Sequence, residues 1–218
     1  MDVDSDNDGI FDLFEARHNL PDTDLNGIVD NANNRTGDNG LVDDLETSPD
    51  SFILNFVVAN TDSDNFIDAT EIDSDNDLCF DVIEAGFTDP DNDGILDTSP
   101  VQVDDYGKVI NASDGYTIPN LDYINFAPIL INTPFVDVEF CEDSNPSIFI
   151  DTTADSFQWQ VSIDGITWSD LSNNANYSGI TSNTLQISNL PLSFHNYQYR
   201  VFLSRNGNSC SDYSNSIT

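Results

Sequence analysis

The feature that most constrains this chain is a twelve-residue acidic pattern that recurs through its first part. In residues 4–15 the pattern reads Asp-Ser-Asp-Asn-Asp-Gly-Ile-Phe-Asp-Leu-Phe-Glu. Acidic side chains stand at positions 1, 3, 5, 9 and 12, and glycine stands at position 6. Copies in the same register, complete or degenerate, cover residues 4–15, 22–33, 35–46, 60–71, 73–84 and 89–100, which we number as loops 1 to 6.

The repeats account for a very uneven distribution of charge. Residues 1–132 hold 31 acidic and 3 basic residues, whereas residues 133–218 hold 9 acidic and 2 basic residues. The first part has too few aliphatic residues among its carboxylates to bury the area that folding requires, so it needs another source of cohesion. Five basic residues in the whole chain exclude nucleic-acid binding by phosphate neutralisation and disfavour an anionic membrane surface.

The acidic pattern is typical of a loop that binds calcium. Calcium takes six to eight oxygen ligands, which side chains at positions 1, 3, 5, 9 and 12 and the carbonyl at position 7 supply together. Loops 1, 4 and 5 keep every ligand. Loop 2 has Asn33 at position 12, and loop 3 has Arg35 and Gly37 at positions 1 and 3. Loop 6 has Pro100 at position 12, so that Asp104 or Asp105 would have to reach back.

We therefore predict that this part of the chain binds several Ca²⁺ ions. The alternative is a series of solvated acidic turns that hold no metal. The predicted ligands, with position 7 acting through its carbonyl, are Asp4, Asp6, Asp8, Ile10, Asp12, Glu15, Asp22, Asp24, Asn26, Ile28, Asp30, Asn39, Leu41, Asp43, Glu46, Asn60, Asp62, Asp64, Phe66, Asp68, Glu71, Asp73, Asp75, Asp77, Cys79, Asp81, Glu84, Asp89, Asp91, Asp93, Ile95 and Asp97.

Two details bear on how the loops fold. Glycine at position 6 permits the positive φ that turns the chain around an ion, but Asn65 and Leu78 replace it in loops 4 and 5. Asparagine tolerates positive φ, whereas positive φ is strained for leucine. The residues between loops are too few for EF-hand helix pairs. We expect the ions to replace a core, together with the apolar residues at position 8, which are Phe11, Val29, Val42, Ile67, Phe80 and Leu96.

Residues 2–98 resemble the thrombospondin type 3 repeats, whose acidic loops wrap in tandem around rows of calcium ions. The phrases Asp-Ser-Asp-Asn-Asp at 4–8 and 73–77, and Asp-Gly-Tyr-Thr-Ile-Pro at 114–119, are similar to segments of large surface adhesins of gliding Bacteroidetes. That resemblance implies export by type 9 secretion and an extracellular, cell-surface location. It also implies a role in cell adhesion and gliding motility.

Residues 133–218 predict a second domain of a different kind. Period-two alternation indicates strands at 135–140, 147–150, 157–163, 166–168, 184–187 and 197–203, with Asp164-Gly165 as a two-residue hairpin turn. Six or seven short strands favour an antiparallel β-sandwich. The positions of Trp159 and Tyr199 resemble the core tryptophan and tyrosine corner of an Ig-like domain.

The three cysteines leave alternatives open. Cys141 and Cys210 are predicted to form a disulfide if the protein lies in an oxidising location, and the alternative is two separate thiols. Cys79 is expected to be packed rather than reactive.

The predicted architecture is therefore a calcium-loop repeat array over residues 1–132 with little regular secondary structure, followed by an Ig-like β-sandwich over 133–218. The two histidines have no metal-ligand spacing, and nucleophile and phosphate-loop motifs are lacking, so we expect no catalytic residue and no enzyme activity. The chain reads as a segment of a longer polypeptide, because the repeat is already in progress at Asp2 and a strand pattern continues to Thr218.

The leading hypothesis is a calcium-stabilised, non-catalytic structural or spacer segment of an extracellular bacterial adhesin. The alternatives are a module that binds a cell-surface glycan or protein, or an accessory domain of a secreted enzyme. A solvent-facing patch of Trp168, Tyr177 and Phe194 would favour binding, and burial of these side chains would favour spacing.

Overall fold

A computed structural model describes residues 2–30 and 36–218. Asn33 and Arg35, which the pattern places at position 12 of loop 2 and position 1 of loop 3, lie outside the described residues. The chain forms two compact units, Met1–Phe126 and Ala127–Thr218. The boundary precedes the change in charge pattern at 132/133, because residues 127–132 bond to the second unit: Ile131 forms an antiparallel bridge with Thr152, and the Arg205 guanidinium donates to the Pro128 carbonyl at 2.7 Å.

Short helical turns are the regular secondary structure of the described part of the first unit, apart from isolated β-bridges. Positions 9–12 of loops 1 and 5 form single-turn α-helices, α1 (Asp12–Glu15) and α2 (Asp81–Glu84). Positions 9–11 of loops 3 and 4 form 3₁₀ turns, Asp43–Leu45 and Asp68–Thr70, and a further 3₁₀ turn covers Leu121–Ile124. The prediction of little regular structure and no long helix pairs therefore agrees with these residues.

Five of the loops close with the same backbone hydrogen bond. The N–H of position 9 donates to the carbonyl of the residue before position 1, with N···O distances of 3.0, 2.7, 3.2, 3.0 and 2.8 Å in loops 1, 2, 4, 5 and 6. Position 4 has positive φ in all five, at Asn7, Leu25, Ser63, Asn76 and Asn92. This recurring geometry shows that the sequence register is also a structural register.

Four loops stack in the order 5, 6, 1, 2 through one repeated contact. The side chain at position 8 of each loop lies against the position-6 glycine of the next. A Cβ added to Gly94 would lie 3.1 Å from the Phe80 ring, one added to Gly9 would lie 3.0 Å from Leu96, and one added to Gly27 would lie 2.7 Å from the Phe11 ring. The stack order differs from the chain order, because loop 6 packs against loop 1.

The stack explains why a leucine is tolerated where the pattern asks for glycine. Leu78 adopts the costly φ of +77°. It belongs to the first loop of the stack, and its side chain is 80% exposed, so the side chain does not clash with the position-8 residue of another loop. Asn65 of loop 4 differs from the expectation, since it is not among the described residues with positive φ. At position 8, Phe11, Val29 and Leu96 are buried as predicted, whereas Ile67 is exposed.

The second unit consists of two antiparallel sheets, an arrangement compatible with an Ig-like β-sandwich. Its strands are β1 (Ser147–Phe149), β2 (Ser156–Ser162), β3 (Ser169–Asp170), β4 (Tyr177–Ser178), β5 (Thr184–Ile187), β6 (Gln198–Arg205) and β7 (Asn208–Tyr213). One sheet has the order β1-β5-β4 and the other the order β3-β2-β6-β7.

A single apolar core joins the two sheets. Trp159 of β2 is fully buried, pairs with Val201 of β6 in the ladder, and donates its Nε1–H to the Ser182 carbonyl at 2.8 Å. Leu185 and Ile187 face it from β5. The predicted core position of Trp159 agrees with this packing.

Several details of the second unit differ from the sequence predictions. Residues 135–140 form no strand, because the backbone bond to the rest of the unit is the single one from Val138 N–H to the Thr218 carbonyl among the described contacts. The β2–β3 connection spans residues 163–168 rather than two residues, since the Asp164 carboxylate accepts the N–H groups of Ile166 and Thr167 and widens the turn.

One side-chain prediction in this unit was also wrong, and one buried side chain has a partner that the sequence did not indicate. Cys141 is an exposed free thiol, so the predicted disulfide between Cys141 and Cys210 is not formed. Tyr199 is buried, but its hydroxyl bonds to the Tyr177 hydroxyl at 2.9 Å, so its partner is a side chain.

The stacking contact makes a specific prediction for glycine substitutions. Gly27→Ala and Gly40→Ala both place a side chain at positive φ, at a cost of about 1–2 kcal/mol. Gly27→Ala must also displace the Phe11 ring, whereas a Cβ at Gly40 meets nothing within 4 Å among the described residues. We expect Gly27→Ala to destabilise the first unit by a further ~1–3 kcal/mol. Calorimetric unfolding measures this difference, and equal losses for the two variants would contradict the stack.

Candidate metal centre

The carboxylates of loops 1 and 5 converge into buried clusters. Ligand atoms of Asp4, Asp6 and Asp8 lie within 4.8 Å of one another, and so do those of Asp73, Asp75 and Asp77. Asp4 and Asp8 are fully buried, and Asp75 and Asp77 are almost fully buried. Each cluster is therefore the predicted set of side chains from positions 1, 3 and 5.

Backbone N–H groups hold these carboxylates in place. At position 1, Asp4, Asp22, Asp73 and Asp89 each accept the N–H of position 6, at 3.2, 2.8, 3.1 and 2.9 Å. At position 5, Asp8 and Asp77 accept the N–H of position 7, at 2.6 and 2.9 Å. Each of these hydrogen bonds engages one lone pair of the carboxylate. The other lone pairs remain available to a ligand.

Position 9 has a role that sequence analysis missed. Its carboxylate accepts the N–H and the hydroxyl of Ser or Thr at position 2, as Asp12 does from Ser5 at 2.7 and 2.8 Å. Asp81 does the same with Ser74, whose Oγ lies at 2.6 Å. The recurrence of Ser or Thr at position 2 was the available signal. Position 9 thus closes the loop as well as being a predicted ligand.

The centre of loop 1 contains buried oxygens that no protein donor satisfies. Within the described residues, both oxygens of Asp6 and of Glu15, Oδ1 of Asp4 and Oδ2 of Asp8 have no hydrogen-bond partner. Burying a polar group without a partner costs several kcal/mol, and more if it is charged. These are hard oxygen donors of the kind that Ca²⁺ prefers, so the residues present fit a calcium ion.

Burial and mutual repulsion raise the pKa values of these carboxyl groups. Burial, followed by the charge of Asp4, raises the pKa of Asp6 to about 8. Burial outweighs the hydrogen bonds from Ser74 and, together with the charges of Asp73 and Asp75, raises the pKa of Asp81 to about 8. The pKa values of Asp8 and Glu15 are also raised, by burial and then by neighbouring acids. Two carboxylates at this spacing repel by roughly 3–4 kcal/mol at an effective dielectric constant near 20.

Loops 2 and 4 also gather acidic ligands, but closer to solvent. Asp22, Asp24 and Asp30 form one group, and Asp62, Asp64 and Glu71 form another. In loop 4 the Arg17 guanidinium pairs with Asp68, the position-9 residue. Burial, followed by the charge of Asp64, raises the pKa of Glu71 to about 7.

Three of the four predicted ligands of loop 3 make other contacts, whereas Oδ1 of Asp43 is buried without a hydrogen-bond partner among the described residues. Asn39 Nδ2 donates to Glu46 Oε1 at 2.7 Å, and the N–H groups of Asp50 and Phe52 also donate to the Glu46 carboxylate. The Leu41 carbonyl accepts the Gly37 N–H at 2.7 Å. Hydrogen bonds from residues within and just after loop 3 therefore hold it as a turn.

Loop 6 also falls short of the predicted arrangement. Asp104, which would have had to reach back in place of Pro100, accepts the N–H groups of Tyr106 and Lys108 in its own turn, at 2.8 and 3.2 Å. Asp91 accepts the Ser99 N–H at 3.0 Å.

Residues 101–116 pack over loop 1, and the sequence did not indicate this contact. The Tyr116 hydroxyl donates to Asp4 Oδ2 at 2.7 Å and accepts the Val109 N–H at 2.5 Å. Lys108 Nζ lies 4.5 Å from the centroid of the Tyr116 ring and 5.0 Å from that of Phe11. The segment therefore fixes one oxygen of Asp4 and leaves Oδ1 directed at the cluster.

Comparisons with known proteins give little beyond this geometry. Residues 132–218 match the model of a domain of unknown function, DUF8696. A search of curated proteins gives no match. A chain in the solved structure "Structural basis for Dscam isoform specificity" is similar at 14% identity with a TM-score of 0.32, covering 42% of this chain and 23% of that chain. A score this low carries no argument about fold or function. The described residues include no helix long and apolar enough to cross a membrane.

The raised pKa values predict an unusual pH dependence in the absence of divalent cations. Asp6 and Asp81 have folded pKa values of about 8 against ordinary values of 3.8, so the fold retains protons that the unfolded chain loses. The stability that this gives is present below pH 4 and is lost as the pH rises toward 8. We expect the melting temperature of the chelated first unit to fall over that range.

The second unit provides an internal control. Both tryptophans, Trp159 and Trp168, lie in it, so tryptophan fluorescence identifies its transition in the same sample. A melting temperature of the first unit that rises with pH under chelation would show that the buried carboxyls are not protonated in the fold.

Proposed function

We propose that the first unit is a calcium-stabilised repeat array, and that the chain is a non-catalytic structural or spacer segment of an extracellular cell-surface adhesin. The observation that carries the calcium assignment is the set of buried, unsatisfied oxygens of Asp6 and Glu15. When bound, the ion supplies positive charge at the centre of each intact loop. The chain's own residues position the oxygens and exclude water from them.

The positions of the ligands support a different role for each loop. Loops 1 and 5 offer buried clusters and are the structural sites of the array. Loops 2 and 4 offer more exposed clusters, with Asp24 and Asp64 open to solvent. Loop 3 engages Glu46 in hydrogen bonds but keeps a buried, unpartnered Oδ1 on Asp43, so it is proposed to bind an ion more weakly than loops 1 and 5.

An extracellular setting fits the energetics of such sites. Extracellular modules of this chemistry bind Ca²⁺ with dissociation constants of about 10⁻⁴–10⁻³ M, which extracellular calcium saturates. Without the ion, the buried carboxylates repel one another, so the folded first unit would have low stability until export. The adhesin context rests on the resemblance of the repeats to surface proteins of gliding Bacteroidetes.

The aromatic side chains favour spacing over ligand binding by the second unit. Tyr177 is buried, and Phe194 stacks on it with ring centroids 5.4 Å apart. Trp168 lies in the β2–β3 connection, beside the other sheet, where the Arg200 guanidinium of β6 covers its ring at 4.3 Å. The three rings form no common solvent-facing patch. The glycan- or protein-binding alternative would have to use the cavity of about 500 Å³ that Leu192 and Tyr197 line.

Calcium-dependent stability tests the proposal. We expect millimolar Ca²⁺ to raise the melting temperature of the first unit by several degrees or more relative to excess chelator. Binding to the native state alone adds about 0.4–1.4 kcal/mol per site at a one- to tenfold ratio of Ca²⁺ to Kd, and the contributions of several sites add. The transition reported by Trp159 and Trp168 should move much less. Differential scanning calorimetry with parallel tryptophan fluorescence measures both, and an unchanged first transition would refute calcium stabilisation.

A further inference from the structure

Glu15, the position-12 carboxylate of loop 1, gathers with a residue of a different loop. Its ligand atom lies within 4.8 Å of those of Asp8, from its own loop, and Asp81, from loop 5. The group of Asp4, Asp6 and Asp8 overlaps this one, because Asp8 belongs to both. The structure thus brings together carboxylates that are far apart in the sequence.

All three members of this group are withdrawn from solvent. Asp8, Glu15 and Asp81 are each 0% exposed. Glu15 is the strongest indication of a ligand, because both of its oxygens are buried and have no hydrogen-bond partner among the described residues. Two buried acceptor oxygens without a donor are costly, and a bound cation would satisfy both.

The chain positions each carboxylate by a separate device. Asp8 accepts the Ile10 N–H at 2.6 Å through Oδ1, which leaves Oδ2 without a partner. The Asp81 carboxylate accepts the N–H and hydroxyl of the buried Ser74, at 2.9 and 2.6 Å. Glu15 ends α1 and is brought inward by that single helical turn.

We propose that Asp8, Glu15 and Asp81 hold one cation that loops 1 and 5 share, with Asp81 of loop 5 completing the ligands that loop 1 supplies. The ligand is a hard divalent cation, with Ca²⁺ the one that an all-oxygen set prefers. This inference rests on the proposed calcium function and deepens it. The shared ion links loop 5 to loop 1, so these two loops do not fold as independent units.

A site of this kind makes two distant residues act as one unit, which a double-mutant cycle measures. In the full chain, Glu15→Gln and Asp81→Asn should each abolish binding of one Ca²⁺ ion, and the double variant should lose the same single ion. Asparagine at 81 keeps an oxygen that accepts the Ser74 N–H, so the loop closure is retained. Isothermal titration calorimetry and equilibrium dialysis with Ca²⁺ give the stoichiometry.

The matched control is Asp30→Asn, which changes the position-9 residue of loop 2, whose acidic group contains no residue of loop 1. Combined with Glu15→Gln, it should give additive losses. Ser74→Ala supplies a second test if Asp81→Asn disturbs folding. It removes a bond that orients Asp81 but no ligand, so it should weaken one site by about 10–100-fold. That effect should disappear in a Glu15→Gln background.

The outcomes separate this inference from the proposed function. If the unmodified chain binds no Ca²⁺, the proposed function fails and the shared site fails with it. If the unmodified chain binds Ca²⁺ but Glu15→Gln and Asp81→Asn lose ions additively, the calcium array stands and the shared site is refuted. Full retention of stoichiometry and affinity in Glu15→Gln would also refute it.

Discussion

The first unit depends on how closely spaced, buried carboxylates are neutralised. Asp4, Asp6 and Asp8 lie within a few ångströms of one another, and Glu15 and Asp81 are buried beside them. Few apolar residues are available to offset the desolvation of these groups. Burial and mutual repulsion raise their pKa values, so protons can neutralise these groups. A bound cation can neutralise them at neutral pH. The backbone bonds that close each loop hold the oxygens in position for either.

Steric complementarity between loops comes second. The contact of a position-8 side chain with the glycine of the next loop orders loops 5, 6, 1 and 2 into a stack. Phe11 is buried by this contact, and Leu96 also lies in a small apolar cluster with Val82 and Val109. Loop 3 lies outside this pattern, since its Glu46 is bonded to donors of its own segment. The same twelve-residue pattern therefore supports different roles according to its neighbours.

The second unit is stabilised by ordinary apolar packing. Trp159, Leu185 and Val201 are fully buried between its two sheets, and its tyrosine pair, Tyr177 and Tyr199, satisfies its hydroxyls within the core. Apolar burial between the sheets accounts for its cohesion. The chain thus joins a unit whose cohesion depends on solution conditions to one whose cohesion does not, which suits a segment that spaces or presents another part of a surface protein.

The sequence alone determined the loop register, the positions of the carboxylates within each loop, the lack of long helix pairs among the described residues and the change to strands in the second part. These follow from local rules, because spacing along the chain sets which side chains meet within twelve residues. The order of the stack, the cover that Tyr116 provides for Asp4, the free thiol of Cys141 and the meeting of Glu15 with Asp81 were decided only by tertiary structure. They depend on contacts between segments far apart in the chain, and periodicity carries no information about which loop packs against which.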